Sequence, residues 1–264
     1  MNFTLKNNIC KIIIFSKYIM NIYDDYISCH ELKKILKGPK YKTLRNKINN
    51  RGIRISLDGN VGSGKSTVIN FFKKLPSKYD VYEEDPNKWV PWLNLYFKDS
   101  KKNATYLQFF IILYFRDLIN KSIMNKTNII GERIGIDDKI FFKLAYDNKN
   151  VTDDEYNLYM RFHKLLVLKP DIRIYLQTKP KISFERLKNR NRNNNKLIPY
   201  DWIKSVHKYH EKVYNPKKYK VLPGKPRKYK NIFIINSEQD REGVKNDLKS
   251  VLEGIKKVKI RNKL

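Results

Sequence analysis

The sequence predicts an α/β fold, a five-stranded parallel sheet covered by helices on both faces, and three observations carry that expectation. Short aliphatic segments alternate with amphipathic helical patterns from residue 52 onward, an order that lays parallel strands beneath helices on both faces. A G-x-x-x-x-G-K-[ST] motif lies between the first such strand and its helix, where a strand-loop-helix phosphate site is built. The chain has 264 residues, 41% of them hydrophobic and 13% aromatic. That is enough for a domain burying about three-quarters of its unfolded surface, which excludes both a stapled mini-protein and a disordered chain.

In chain order, residues 1–50 read as an amino-terminal extension, with a helical pattern at His30–Leu36 ended by Gly38-Pro39 and a polar stretch at Asn46–Asn50. The remaining residues, 51–264, form the main domain. Strands are expected at Gly52–Asp58, Val81–Glu83, Asn128–Glu132, Asp171–Gln177 and Asn231–Asn236, each short, aliphatic and followed by turn or helix signals. Helices are expected at Ser66–Lys74, Ala104–Met124, Asp138–Tyr146, Asp153–Val167, Pro180–Asn189, Tyr200–Tyr214 and Asp240–Glu253. Two polar interruptions remain. Lys188–Lys196, carrying Arg190 and Arg192, has the length of a lid between two helices, and Asn215–Asn231 reads as a solvated surface loop.

The 56 basic and 26 acidic side chains give a net charge of +30, which by itself points to a polyanionic partner. Lys, Asn and Ile are enriched together along the whole chain, however, and A/T-rich codons produce that excess without selection for binding. Cys10 and Cys29 are the two cysteines, too few for a disulfide framework or a four-ligand zinc site, which fits a reducing, cytoplasmic setting. The apolar run Ile12–Phe15 is short and flanked by Lys11 and Lys17, so no membrane span is expected. Arginine is absent before Arg45, which fits poorly with a mitochondrial presequence.

The loop Gly59-Asn60-Val61-Gly62-Ser63-Gly64-Lys65-Ser66-Thr67 can wrap phosphate oxygens in amide hydrogens at the positive end of the following helix. Lys65 reaches the β- and γ-phosphates of a triphosphate, and the Ser66 hydroxyl suits Mg²⁺. Other residues decide the class. Asn87-Lys88 is followed by Trp89-Val90, so the guanine-reading Asn-Lys-x-Asp is missing. No aliphatic run ends in Asp-Glu as a helicase-like ATPase would require. What remains is phosphoryl transfer to a small acceptor by a P-loop kinase. The second strand ends in Glu83-Glu84-Asp85 and the third in Glu132-Arg133, at the carboxyl edge where open α/β sheets hold ligands. Arg186, Arg190 and Arg192 can follow charge spreading over a transferring phosphoryl group.

In these segments the chain, from Ile53 to its carboxyl end, resembles the deoxyribonucleoside kinase family of deoxycytidine, deoxyguanosine and mitochondrial-type thymidine kinases. The carrying residues are the Gly59–Thr67 loop, Glu84 through Trp89, Phe97-Lys98-Asp99-Ser100 ahead of Gln108, and Glu132-Arg133. Further on they are Tyr175-Leu176-Gln177 through Pro180 to Arg186, Arg190 and Arg192, then Ile198-Pro199, His207 and His210-Glu211. The resemblance implies ATP- and Mg²⁺-dependent phosphorylation of a deoxyribonucleoside 5′-hydroxyl, with an arginine-bearing lid and a homodimer. By position it makes Glu84 the base, Arg133 the residue that orients the hydroxyl, and Glu132 a carboxylate near Mg²⁺ and the rival base. Gln108 then reads the base between Trp89 and Phe142, and Asp138 lies beside it. The family's tyrosine on the 3′-hydroxyl falls at Phe97, next to Tyr96, and its sugar-binding glutamate falls at Asn195. Weaker discrimination against 3′-deoxy analogues is therefore expected. The arginine that accompanies Asp138 in the deoxycytidine and purine enzymes falls at Phe115, which leans toward thymidine or a broad pyrimidine range.

Two rival functions remain open at this point. A nucleoside monophosphate kinase shares the loop, sheet and lid but typically carries Asp-Arg where this chain has Glu132-Arg133. A P-loop ATPase that binds nucleic acid would use Lys217–Lys230, where lysines alternate with Tyr219 and Tyr229. His207 and His210 have no third ligand spaced to join them, and they read as packing residues.

Overall fold

The computed structural model describes residues 52–75, 79–125, 128–134, 137–166, 170–190, 198–214, 227–229 and 231–256. The expectations for residues 1–50 and for most of the two polar interruptions lie outside these. Among the described residues, β1 (Arg54–Asp58), β2 (Asp80–Tyr82), β3 (Ile129–Glu132), β4 (Ile172–Gln177) and β6 (Ile232–Asn236) pair in parallel, giving the five parallel strands expected. A sixth strand, β5 (Arg227–Tyr229), pairs antiparallel with β6 and completes the order β2-β3-β1-β4-β6-β5. It corrects the expectation of an unbroken loop across residues 215–231. Only three residues pair at this sheet edge, too few to leave an alternating pattern in a Lys-rich stretch.

Among the described residues eight helices accompany the sheet: α1 (Lys65–Lys73), α2 (Pro86–Lys98), α3 (Ser100–Asn125), α4 (Asp137–Asp147), α5 (Asp153–Leu166), α6 (Pro180–Asn189), α7 (Tyr200–Tyr214) and α8 (Arg241–Lys256). Helix α2 has no counterpart among the expected elements. Its start is nonetheless encoded, because Asp85 Oδ1 accepts the Asn87 amide at 3.1 Å and Pro86 occupies the first turn, where proline's missing donor costs nothing. Pro91, inside the helix, removes one backbone hydrogen bond and hides the pattern. Helix α3 begins at Ser100 rather than Ala104, since Asp99 Oδ1 accepts the Lys102 amide at 3.1 Å as an N-cap.

Alternation along β1 sends Ile55 and Leu57 to one face and Ser56 and Asp58 to the other. The first face forms the main core with Val68, Ile69 and Phe72 of α1, Ile174 and Leu176 of β4, and Leu248 and Val251 of α8. On the second face Tyr175 stacks on Tyr214 of α7, ring centroids 4.2 Å apart. Beneath that stack Asp58, fully buried, accepts hydrogen bonds from Ser56 Oγ at 2.5 Å and from the Tyr214 hydroxyl. A buried carboxylate requires such donors. Among the described residues no helix is long and apolar enough to cross a membrane.

Candidate active site

The phosphate loop, Glu84 and Glu132-Arg133 all lie at the carboxyl ends of parallel strands β1, β2 and β3. The loop after β1 turns on glycines in the left-handed region, Gly62 at φ 79° and Gly64 at φ 96°. At Gly62 a side chain is excluded twice, by that φ and by the Ser183 carbonyl oxygen of α6, which would lie 2.2 Å from a Cβ. Lys65 Nζ donates to the Gly59 and Asn60 carbonyls, both at 3.0 Å, so the buried ammonium is held over its own loop. Asn60 Oδ1 accepts the Val61 amide at 2.8 Å while its Nδ2 donates to the Ile203 carbonyl of α7 at 2.9 Å. The hydroxyl of Ser237, just past β6, donates to the Ser63 carbonyl at 2.5 Å. Sheet and helices therefore fix the loop from three sides, and Ser66 and Thr67 follow in the first turn of α1.

The Glu84 and Arg133 segments lie beside it. Register places Leu57 opposite Glu132 and Tyr82 opposite Gly131, so the segment leaving β2 meets the end of β3. Arg133 adopts φ 56° immediately after β3, and its amide donates to the Leu57 carbonyl at 3.0 Å. Its guanidinium lies 3.5 Å from Glu84 Oε1, both side chains about one-sixth exposed (16% and 17%), and 4.8 Å from the centre of the Phe141 ring. Phe141 stacks on Trp202 at 5.6 Å and 10°, and Trp202 meets Phe97 edge-on at 6.2 Å. Tyr96 packs against Phe97 at 5.2 Å. Burial pushes the Tyr96 hydroxyl's pKa up, partly offset by the Trp202 indole.

Glu132 links the two halves. Burial, then the neighbouring Glu84 charge, raises its carboxyl to about 7, while Lys65 and Arg133 pull it back down. Its Oε1 is buried without a hydrogen bond among the described residues. Such a shift has a thermodynamic signature. Between the usual 4.5 and about 7 the folded protein holds a proton that the unfolded chain has released, so this group's contribution to stability is full below that window and lost as pH rises through it. The melting temperature of wild type relative to Glu132→Gln is expected to fall across that interval. Parallel curves for the two proteins would refute the shift.

Gln108 of α3 is 5% exposed and its Oε1 likewise lacks a described partner. Phe142 is fully buried, stacked on Tyr156 at 5.8 Å and tilted against Tyr159 at 3.9 Å. Arg186 lies in the last turn of α6 and Arg190 caps it. Trp89 and Asp138 fall in α2 and α4, with side chains outside the described part, and Arg192 and Asn195 lie outside the described residues. The residues that sequence reasoning missed are Phe141 and Trp202. Nothing in the local pattern separates Phe141 from Phe142, and Trp202 reads as ordinary helix packing.

The family model that matches residues 55–254 is "Deoxynucleoside kinase". The chain belongs to the deoxynucleoside kinase family. Its relatives include a fowlpox virus protein named probable deoxycytidine kinase, 33% identical over 170 residues, which are 60% of this chain and 70% of the viral one. Human mitochondrial thymidine kinase 2 is 25% identical over 166 residues, 60% of this chain and 62% of its own. A structure of deoxyadenosine kinase from M. mycoides with products dCMP and a flexible dCDP bound superposes with a TM-score of 0.64 and 27% identity, covering 78% of this chain and 100% of that one. The kinase is accordingly a nucleotide-binding phosphotransferase that acts on the 5′-hydroxyl of deoxynucleosides. A monophosphate kinase is not favoured.

Proposed function

We propose that residues 51–264 transfer the γ-phosphoryl group of ATP to a deoxynucleoside 5′-hydroxyl held between the phosphate loop and the Glu84–Arg133 pair. The observation that carries this reading is the convergence of Lys65, Glu132, Glu84 and Arg133 into one electrostatic site at the sheet's carboxyl edge. Glu84 accepts the hydroxyl proton. Arg133 orients that hydroxyl and offsets developing negative charge, while Arg186, Arg190 and Arg192 serve the triphosphate. Because the transition state is loose, positioning and charge stabilisation outweigh proton removal.

The donor set fits Mg²⁺, a hard cation that takes one or two protein oxygens and completes its shell with phosphate and water. Glu132 presents a buried, unbonded carboxylate oxygen, and Ser66 supplies a hydroxyl. Glu132 and Ser66 would hold the ion, which would supply positive charge against the triphosphate.

For the base, the Gln108 carbonyl oxygen awaits a donor, and the amide's own hydrogens supply the complementary half of an edge-on contact. The family resemblance assigns Trp89, Phe142 and Asp138 to that pocket, with Phe142 seated against Tyr156 and Tyr159. The sugar side is aromatic: Phe97 has no hydroxyl, meets Trp202 edge-on and packs against Tyr96, while the resemblance assigns Asn195 to the 3′ position. Removing the 3′-hydroxyl is thus expected to lower kcat/KM by less than about tenfold, the loss of roughly one hydrogen bond. A drop of about a hundredfold or more, the scale for a polar group left unpaired in its site, would contradict this.

A homodimer is supported by Tyr106 and Leu113 on α3 and Leu158 on α5, which are 60%, 52% and 50% exposed. Sedimentation should give twice the chain mass, and a monomer at micromolar concentration would exclude it. The whole reading is tested with radiolabelled ATP and the four deoxynucleosides beside their monophosphates. Label appearing in a nucleoside 5′-monophosphate supports it. Label only in diphosphates, or DNA-stimulated ATP hydrolysis alone, replaces it.

A further inference from the structure

Two adjacent residues in the first turn of α7 hold opposite halves of the site. Trp202 lies flat on Phe141, and Phe141 carries the Arg133 guanidinium on its other contact, 4.8 Å from the ring centre. Ile203, the next residue, accepts Asn60 Nδ2 at 2.9 Å, and Asn60 also fixes the Val61 amide. The two anchors are thus about 3.8 Å apart along the chain, the Cα spacing of a trans peptide. The turn itself cannot slide. Ile203 and Val206 are fully buried, Tyr214 is bonded to Asp58 of β1, and Tyr209 is bonded to Asp147 of α4.

We propose that Trp202 is a positioning residue that acts through Phe141 on Arg133, so that the first turn of α7 sets the spacing between the acceptor arginine and the phosphate loop. The inference rests on the acceptor role given to Arg133 above. An arginine side chain has several rotatable bonds, each of which lets the guanidinium plane change its tilt. A flat aromatic face beneath it removes that freedom, because cation and ring attract most strongly face-on. Trp202 in turn prevents the Phe141 ring from rotating away, and Ile203 references the assembly to the loop.

Trp202→Leu, Trp202→Phe, Phe141→Leu and Arg133→Ala are to be purified, their melting temperatures measured, and kcat and both KM values determined with the best deoxynucleoside. Trp202→Leu is expected to lower kcat about tenfold with KM for ATP changed by less than about twofold, on a scale where an ångström of misplacement costs about a hundredfold. Trp202→Phe, which keeps a stacking face, restores most of it. Unchanged kcat with a raised nucleoside KM would make Trp202 a pocket wall only and overturn the proposal. So would a Phe variant no better than Leu. Should Trp202→Leu fail to fold, Phe141→Leu carries the same expectation and the same refutation. If Arg133→Ala is inactive while these variants are not, only this proposal fails. An active Arg133→Ala protein removes the acceptor role itself.

Discussion

Arg133→Ala is expected to lower kcat by at least about a thousandfold, the smaller end of what a transition-state arginine contributes in phosphoryl transfer. Three features make the residue hard to replace. Its backbone sits at φ 56°, a conformation that side-chain-bearing residues seldom adopt and that persists where the surroundings over-determine it. Its guanidinium is fixed by Glu84 on one side and the Phe141 ring on another. And it meets the electrostatic field of Glu132 and Lys65, at the junction of donor and acceptor. ATP binding should survive, because the loop's contacts to Ile203, Ser183 and Ser237 involve none of these atoms. Single-turnover rates together with binding of a fluorescent ATP analogue separate the two effects. Turnover within about tenfold of wild type would be too small for a charge-stabilising arginine.

Glu84→Gln should cost about a hundredfold to a thousandfold in kcat, within the ordinary range for losing a general base. Glutamine keeps the shape and one acceptor but cannot take a proton, and it also gives up the ion pair with Arg133. The second loss compounds the first, since the guanidinium then loses its carboxylate contact while the Phe141 ring remains beneath it. Glu132 is the rival base, since burial and the Glu84 charge raise its carboxyl to about 7, close to the operating pH at which proton transfer is most efficient. The pH profile of Glu84→Gln is the discriminating record. If its acidic limb matches that of wild type and kcat is nearly normal, the proton goes elsewhere.

Much of this was legible in the sequence for identifiable reasons. Buried parallel strands are short aliphatic runs, so β1, β3, β4 and β6 announce themselves. The loop's glycines and Lys65 form a motif with a fixed spacing, and Glu84 and Glu132-Arg133 follow from their position at strand ends. Helix α2 was hidden by Pro91, although the Asp85-Pro86 cap was present to be read. The aromatic support of Arg133 could not be read at all. It depends on which of two adjacent phenylalanines faces the sheet edge, and on α7 returning from far along the chain to lay Trp202 on it. Phe142, the more obvious choice for a pocket wall, is packed between Tyr156 and Tyr159 of α5, while Phe141 carries the arginine. Tertiary contacts of this kind leave no periodic trace.

The central claim is a geometric one, that the terminal phosphate at Lys65 and a sugar hydroxyl at Glu84 share one cleft. A crystal structure of the kinase with a non-hydrolysable ATP analogue and a deoxynucleoside tests it most directly. The account predicts the 5′-oxygen within hydrogen-bonding reach of Glu84 and Arg133, about 3 Å, and in line with the γ-phosphorus. A nucleoside bound elsewhere, with Glu84 turned away from the triphosphate, would contradict it.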